Sequence, residues 1–340
     1  MRVVTFGEIM LRLSPPGFER LLHSPTLSAT FGGAEANVAI SLAHWGIESV
    51  YVTRVPPNAL GEAAVRSLRA EGVRTDAILR GGDRLGIYFA ETGTGQRPST
   101  VVYDRAHSAI SGIEPGAIDW NQVLRGAAWF HVSGVTAALG AGPARLVADG
   151  LAAARAAGIR TSLDLNYRRK LWSEAEAQAT LRPVMTNVTV VFANEEDLQT
   201  ALGFPVAGID VKTGRIEPAA YHDAITRVCE LGPGLVAITL RESSSASENG
   251  WSAVLGGTQV GELLQAPRFD VRIVDRIGAG DAFAAGMIYA LLSAREPLDA
   301  LRFAVAAGAL KHTIPGDFNR VSVAEVDRLA AGDASGRVLR

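Results

Sequence analysis

From about residue 125 onward, short runs of β-branched and aromatic residues alternate with helical stretches, and this alternation leaves the chain few architectures to choose from. Trp129-Phe130-His131-Val132-Ser133 reads as a strand, the alanine-rich segment from Pro143 to Ala157 as a helix closed by Gly158, and Arg160-Thr161-Ser162-Leu163-Asp164 as a strand again. A helix from Ser173 to about Val184, a strand over Val188–Ala193, a helix from Glu195 and a strand over Leu235–Leu240 continue the rhythm. Strands that are apolar on both faces and separated by helices pair in parallel through right-handed crossovers. The expected fold class is α/β: a doubly wound, mostly parallel sheet flanked by helices, with ligands bound beyond the carboxyl ends of the strands.

Two segments break the rhythm. Residues 11–31 and 86–104 carry turn-punctuated β patterns, the second with a turn at Thr92-Gly93-Thr94-Gly95 between its halves. A hairpin of that kind cannot enter a parallel sheet directly. It is expected to form a small antiparallel β lid, from about residues 11–35 and 84–107, over the active face; a peripheral hairpin is the alternative. An exposed lid edge would invite a second subunit, so a homo-oligomer formed through the lid is expected. No repeat and no Pro-, Gly- or Ser-rich linker divides the chain, which predicts a single domain over 1–340. Residues 243–250 read as a polar loop and 330–340 as a frayed tail.

With 48% hydrophobic and 20% charged residues and a formal net charge of -2, the chain has an ordinary enzyme-like composition without a basic block. Nucleic acid and anionic membranes are therefore not expected partners, and a small ligand is. The single cysteine, Cys229, excludes an internal disulfide and multi-cysteine zinc sites. The longest uncharged apolar run, Ala282 to Ala294, falls short of the ~20 residues of a membrane helix. With a strand-like start in place of a secretory signal, a cytoplasmic location is expected.

Chemistry concentrates in Val274-Asp275-Arg276-Ile277-Gly278-Ala279-Gly280-Asp281-Ala282-Phe283. Gly278 and Gly280 permit a tight turn, and a helix from Asp281 to Leu292 would turn its free N-terminal amides toward an anion. Asp281 would then face a bound phosphoryl group; taken alone, the pattern is also a plain turn with a helix cap. Gly32 and Gly33 precede a helix of small residues, and Asn37, one turn in, offers the donor and acceptor pair that hydroxyl groups want. Asp164-Leu165-Asn166-Tyr167-Arg168-Arg169-Lys170 follows a strand, where its cations either grip an anionic substrate or stand in solvent. Asn194-Glu195-Glu196-Asp197 opens a helix, as capping groups or as neighbours of Mg²⁺ through water. No Walker-type loop, dinucleotide fingerprint or nucleophile elbow occurs.

Taken together, Gly7-Glu8, Gly32-Gly33 with Asn37, Asn194 with an acid three residues on, and Gly278-Ala279-Gly280-Asp281 resemble the ribokinase-like (PfkB) carbohydrate kinases in order and spacing over nearly the whole chain. Gly7-Glu8-Ile9-Met10-Leu11-Arg12-Leu13-Ser14-Pro15, Asp164 to Arg168 with Leu171-Trp172, and Asp275-Arg276-Ile277-Gly278 look most like the kinases of 2-keto-3-deoxygluconate. The resemblance implies transfer of the ATP γ-phosphoryl group to a terminal primary hydroxyl, with Gly278, Ala279 and Gly280 as anion hole and Asp281 as base. It implies sugar-acid contacts from Gly33, Asn37, Tyr88, Tyr103, Arg105 and Arg168. Nucleotide contacts are expected from Asn194, Thr239, Arg241, Gly278, Gly280 and Lys311, and Mg²⁺ near Asn194 and Asp197. The family's usual Asn-x-x-Glu ends here in Asp197, and a threonine after its first aspartate is replaced by Arg276. With an ordinary pKa of ~3.9, Asp281 would orient the hydroxyl and take its proton late. A kinase of a neutral sugar such as fructose or ribose is the main alternative; a non-catalytic sugar-acid sensor is the other.

Overall fold

The computed structural model describes residues 1–206 and 220–333. Fourteen strands are described: β1 (Arg2–Phe6), β2 (Met10–Ser14), β3 (Ser28–Gly32), β4 (Glu48–Val55), β5 (Ile78–Arg80), β6 (Ile87–Glu91), β7 (Thr100–Asp104), β8 (Trp129–Ser133), β9 (Arg160–Asp164), β10 (Val190–Asn194), β11 (Leu235–Ser243), β12 (Glu248–Gly256), β13 (Leu264–Gln265) and β14 (Phe269–Arg272). Ten of them form one sheet in the order β13-β12-β11-β10-β9-β8-β1-β4-β5, with β14 paired to β12. Every pairing from β11 to β5 is parallel, and those around β12 are antiparallel.

Alternate residues of one strand feed separate cores, which is why these strands read as unbroken apolar runs. Val4 and Phe6 pack with Phe130, Leu163 and the helix Ala141–Ala156 on one face. Val3, Trp129 and Phe192 pack on the other against the helices Ala279–Leu292 and Pro297–Lys311. Those two helices approach closely: a Cβ on Gly286 would stand 2.7 Å from Ala304 Cα. Ala304, Ala306 and Ala307 are fully buried in the core that these helices share.

A separate four-stranded sheet has the order β3-β2-β6-β7. Its outer pairs are antiparallel and its central pair, β2 with β6, is parallel, because the chain crosses through the main sheet between them. Met10, Tyr88 and Ala90 form its underside, packed with Val101 and Ile277. The β6–β7 turn rests on the β11–β12 turn, where Ala246 N–H donates to Gly95 O at 2.8 Å.

Some boundaries move. β11 runs on to Ser243 and β12 begins at Glu248, so the polar loop is confined to 244–247. The helix after Ser173 stops at Leu181 and tightens into a 3₁₀ turn over Arg182–Asn187, where Pro183 cannot donate to an α-helical ladder. Ala330 ends a regular helix, Val323–Ala330, and residues 334–340 of the expected tail lie outside the described residues.

Candidate active site

Gly278 opens the helix Ala279–Leu292 at φ 88°, in the left-handed region. A Cβ there would also collide with the backbone carbonyl of Asp317, so conformation and contact both require glycine. No side chain caps this helix, and a Cβ on Gly280 would meet only open space. Among the described residues, the amides of Gly280 and Asp281 are thus left for an anion, while that of Ala279 makes a long bond to Arg276 O at 3.5 Å. Ala279 turns its methyl into the core and offers only its backbone.

Asp281 stands one turn in, on the wall of a cleft of about 380 Å³, a volume suited to a small molecule. Asn37 Nδ2 donates to Asp281 Oδ2 at 2.7 Å, while Asn37 Oδ1 accepts from Gly33 N–H at 3.4 Å. One end of the Asn37 amide thus holds the carboxylate and the other is tied to the Gly33 backbone. Burial is the main cause that pushes the Asp281 pKa up to about 7, with Asp317 and Glu35 adding repulsion and Asn37 and Arg168 opposing it. The ordinary value of ~3.9 assumed from sequence does not hold in this setting. A carboxylate titrating near 7 is well matched to accepting a proton at neutral pH.

Gly32 and Gly33 are each crowded by a remote segment of the chain. A Cβ on Gly33 would strike Glu8 O, and one on Gly32 would strike the Asp317 carboxylate. Gly33 still lines the cleft, together with Tyr88, Tyr103, Arg105 and Arg168. Tyr88 is buried and spends its hydroxyl on Asp317 Oδ1 at 2.5 Å; Tyr103 is exposed, its ring centroid 5.9 Å from that of Tyr88. Arg105 is ion-paired with Glu8, yet its buried Nε has no hydrogen-bond partner among the described residues. Asn166, at φ 39°, turns the chain after β9, and Arg168 beyond it is exposed and bonded only weakly, to Tyr167 O at 3.5 Å.

At the opposite end, Asn194, Asp197, Thr239 and Arg241 also line the cleft. Asn194 Oδ1 accepts from the amides of Glu196 and Asp197 at 2.8 and 2.9 Å, and Asp197 accepts from Asn194 N–H and Tyr167 N–H. The pair is a capping box. Burial raises Asp197 to about 6, and burial, then Asp197 and Asp281, hold Asp164 well above the usual carboxylate range. Among the described residues no cluster of three or more His, Cys, Asp or Glu is arranged to hold a metal. The donor set suits a hydrated cation carried by phosphates better than a bare one. Arg276 lies on the cleft wall, its Nη2 donating to Ala246 O at 3.2 Å. Lys311 is beneath the wall, not on it: the last turn of its helix faces inward, and Nζ donates to Ile314 O at 3.1 Å.

Several participants escaped the sequence reading. Arg12 donates to Asp275 Oδ2 at 2.5 Å and to Asp317 Oδ1 at 2.8 Å, joining the small sheet to the glycine turn. The available signal was an arginine in register with buried Met10 in an apolar strand. Glu35 is buried and accepts from Ser133 N–H, Ser133 Oγ and Thr136 Oγ1, while its Oε2 has no hydrogen-bond partner among the described residues. Asp317, 36 residues beyond Asp281, carried no local pattern that marked it.

A family model of pfkB family carbohydrate kinases matches residues 1–321. A 2-dehydro-3-deoxygalactonokinase of Haloferax volcanii is 35% identical over 337 residues, covering 98% of each chain. A 2-dehydro-3-deoxygluconokinase of Bacillus subtilis is 29% identical over 325 residues, 95% of this chain and 93% of that one. The crystal structure of a 2-dehydro-3-deoxygluconokinase from Thermotoga maritima superposes with a TM-score of 0.93 at 47% identity, covering 98% of this chain and all of that one. A sugar kinase of Pyrococcus horikoshii in complex with ATP shares the fold at 22% identity and a TM-score of 0.72, over 93% of this chain and 94% of that one. Among the described residues, no helix is long and apolar enough to cross a membrane.

Proposed function

The chain belongs to the pfkB family of carbohydrate kinases, and we propose that it transfers the γ-phosphoryl group of ATP to the terminal primary hydroxyl of 2-keto-3-deoxygluconate (2-dehydro-3-deoxygluconate). The carrying observation is the pairing, within one cleft, of an Asn37-held Asp281 at an uncapped glycine turn with an exposed arginine, Arg168, whose guanidinium makes one weak bond among the described residues. The likeness to kinases named for 2-keto-3-deoxy sugar acids supports the same substrate class.

Asp281 accepts the hydroxyl proton as the sugar oxygen bonds to phosphorus and the bond from phosphorus to the leaving ADP oxygen breaks. Amides of the Gly278–Gly280 turn take the equatorial oxygens. Arg168 holds the sugar carboxylate, with Arg105 and Tyr103 beside it. Thr239, Arg241 and Arg276 face the nucleotide. Mg²⁺, when bound with ATP, supplies charge neutralisation on the phosphates, near Asp164, Asn194 and Asp197.

The chain acts as one kinase unit, with the small sheet (about residues 11–35 and 84–107) as its lid. The exposed edge of β7 offers a second subunit a pairing surface, which light scattering tests. The lone Cys229 suits a reducing cytoplasm. A coupled ADP-release assay with ATP and Mg²⁺ against 2-keto-3-deoxygluconate, its galacto epimer, fructose and ribose tests the substrate. Turnover confined to the neutral sugars, or absent throughout, would overturn it.

A further inference from the structure

Lys311 is one of three lysines in a chain that otherwise takes its cations from arginine, and it is fully buried. Its Cε would lie 3.2 Å from a Cβ placed on Gly278, so its stem runs directly under the glycine turn. Two buried carboxylates stand behind that turn. Asp275 also accepts from Ile277 N–H at 3.1 Å and Gly316 N–H at 3.0 Å; Asp317 passes its carbonyl against Gly278. Both are ion-paired to the single guanidinium of Arg12. One ion-paired cation against two anions, with Arg276 facing Asp275 only at longer range and from the cleft side, leaves negative charge directly behind a site meant to receive a phosphoryl group, and the low dielectric there would carry that repulsion forward.

We propose that Lys311 is a positioning residue of the transfer centre, its ammonium cancelling the surplus charge of Asp275 and Asp317 beneath Gly278 so that the turn's amides present an unopposed positive field. This rests on the kinase reading above and gives Lys311 a place below the anion hole instead of a contact with nucleotide. Burial draws its pKa down, while Asp275, Asp317 and Asp281 oppose that and Arg12 adds to it. A neutral side chain of equal length would fill the same space without the desolvation cost of an ammonium, so packing alone does not explain a lysine here.

Lys311→Met and Lys311→Ala in the full chain test this. In Lys311→Met, kcat should fall on the order of 10²-fold, the scale of one lost anion-hole donor, with the KM for sugar acid little changed. Calorimetry should show ADP plus aluminium fluoride, a planar phosphoryl mimic, weakened far more than ADP alone. In Lys311→Ala, ammonium or methylammonium should restore part of kcat, while tetramethylammonium, too large for the space, should not. Wild-type kcat in Lys311→Met, equal weakening of ADP with and without the mimic, or no recovery of Lys311→Ala with ammonium each overturns the proposal. Should Lys311→Met fail to fold, the ammonium response of Lys311→Ala decides. If the wild-type protein phosphorylates no sugar acid, the functional reading falls, and the mimic comparison still tests Lys311.

Discussion

Under the small sheet, Arg12, Asp275 and Asp317 are locked into one buried ion-pair network, with Tyr88 bonded to Asp317 and Arg105 to Glu8. At the far end of the cleft, Arg241 stands exposed over the Trp251 ring at 5.9 Å, and Thr239 bonds only back to Ala193 O at 3.3 Å. At the sugar end these ion pairs stand ready beside the exposed Arg168, whereas the other end offers exposed side chains and strand-end backbone. The difference fits their proposed tasks. A sugar acid must be told from neutral sugars by fixed charge in a fixed place, whereas a nucleotide brings its own charge and needs mainly a groove.

The strongest way to break this contrast is at the centre, where Asp281→Asn should lower kcat on the order of 10³-fold with the sugar KM nearly unchanged. Near-normal kcat in a stopped assay would remove Asp281 as base. The same variant should melt higher at pH 8, by roughly 2–4 °C. The sign follows from the raised pKa: an unfolded Asp gives up its proton near ~4, the folded one only at about 7, so folded stability falls as pH rises through that window.

Next in size is Arg12→Met, which strands two buried carboxylates and should cost about 3–5 kcal/mol in denaturant melts. A loss under ~1 kcal/mol would show that the lid end is not held by this network. Arg168→Ala should cut kcat/KM for the sugar acid about 10–10²-fold, the worth of a charge-assisted bond, and leave that for fructose, however small, unchanged; equal losses would deny Arg168 its carboxylate. In the wild type, log kcat/KM should rise about one unit per pH unit below an apparent pKa of about 7 and flatten above it, as Asp281 ionises. Smallest, Arg241→Ala should raise the KM for ATP only a few-fold, as expected of an exposed cation. A larger effect would place more fixed charge at that end than the geometry supplies.

The parallel sheet was legible because burial on both faces writes itself into β8 to β11 as continuous apolar runs. The glycine turn was legible too, since Gly278 needs φ 88° and few residues tolerate it. Less readable were the pairings that join remote segments. Arg12 meets residues 263 and 305 positions away, and no local pattern records that. The closeness of Gly32 to Asp317 and of Gly33 to Glu8 is likewise a contact between remote segments that no local pattern records. Lys311 was noticed as a cation but put on the cleft wall, because helical phase near a terminus does not say which way the last turn faces.

What the sequence alone determined is the kind of chemistry: local backbone and side-chain types fix where a phosphoryl group can be held and which acid stands beside it. Tertiary structure decided how that acid behaves. An aspartate is ordinary until burial, Asn37 and the neighbouring carboxylates carry Asp281 to about 7. Those influences are long-range electrostatics and desolvation, which depend on distances in space and not on order along the chain.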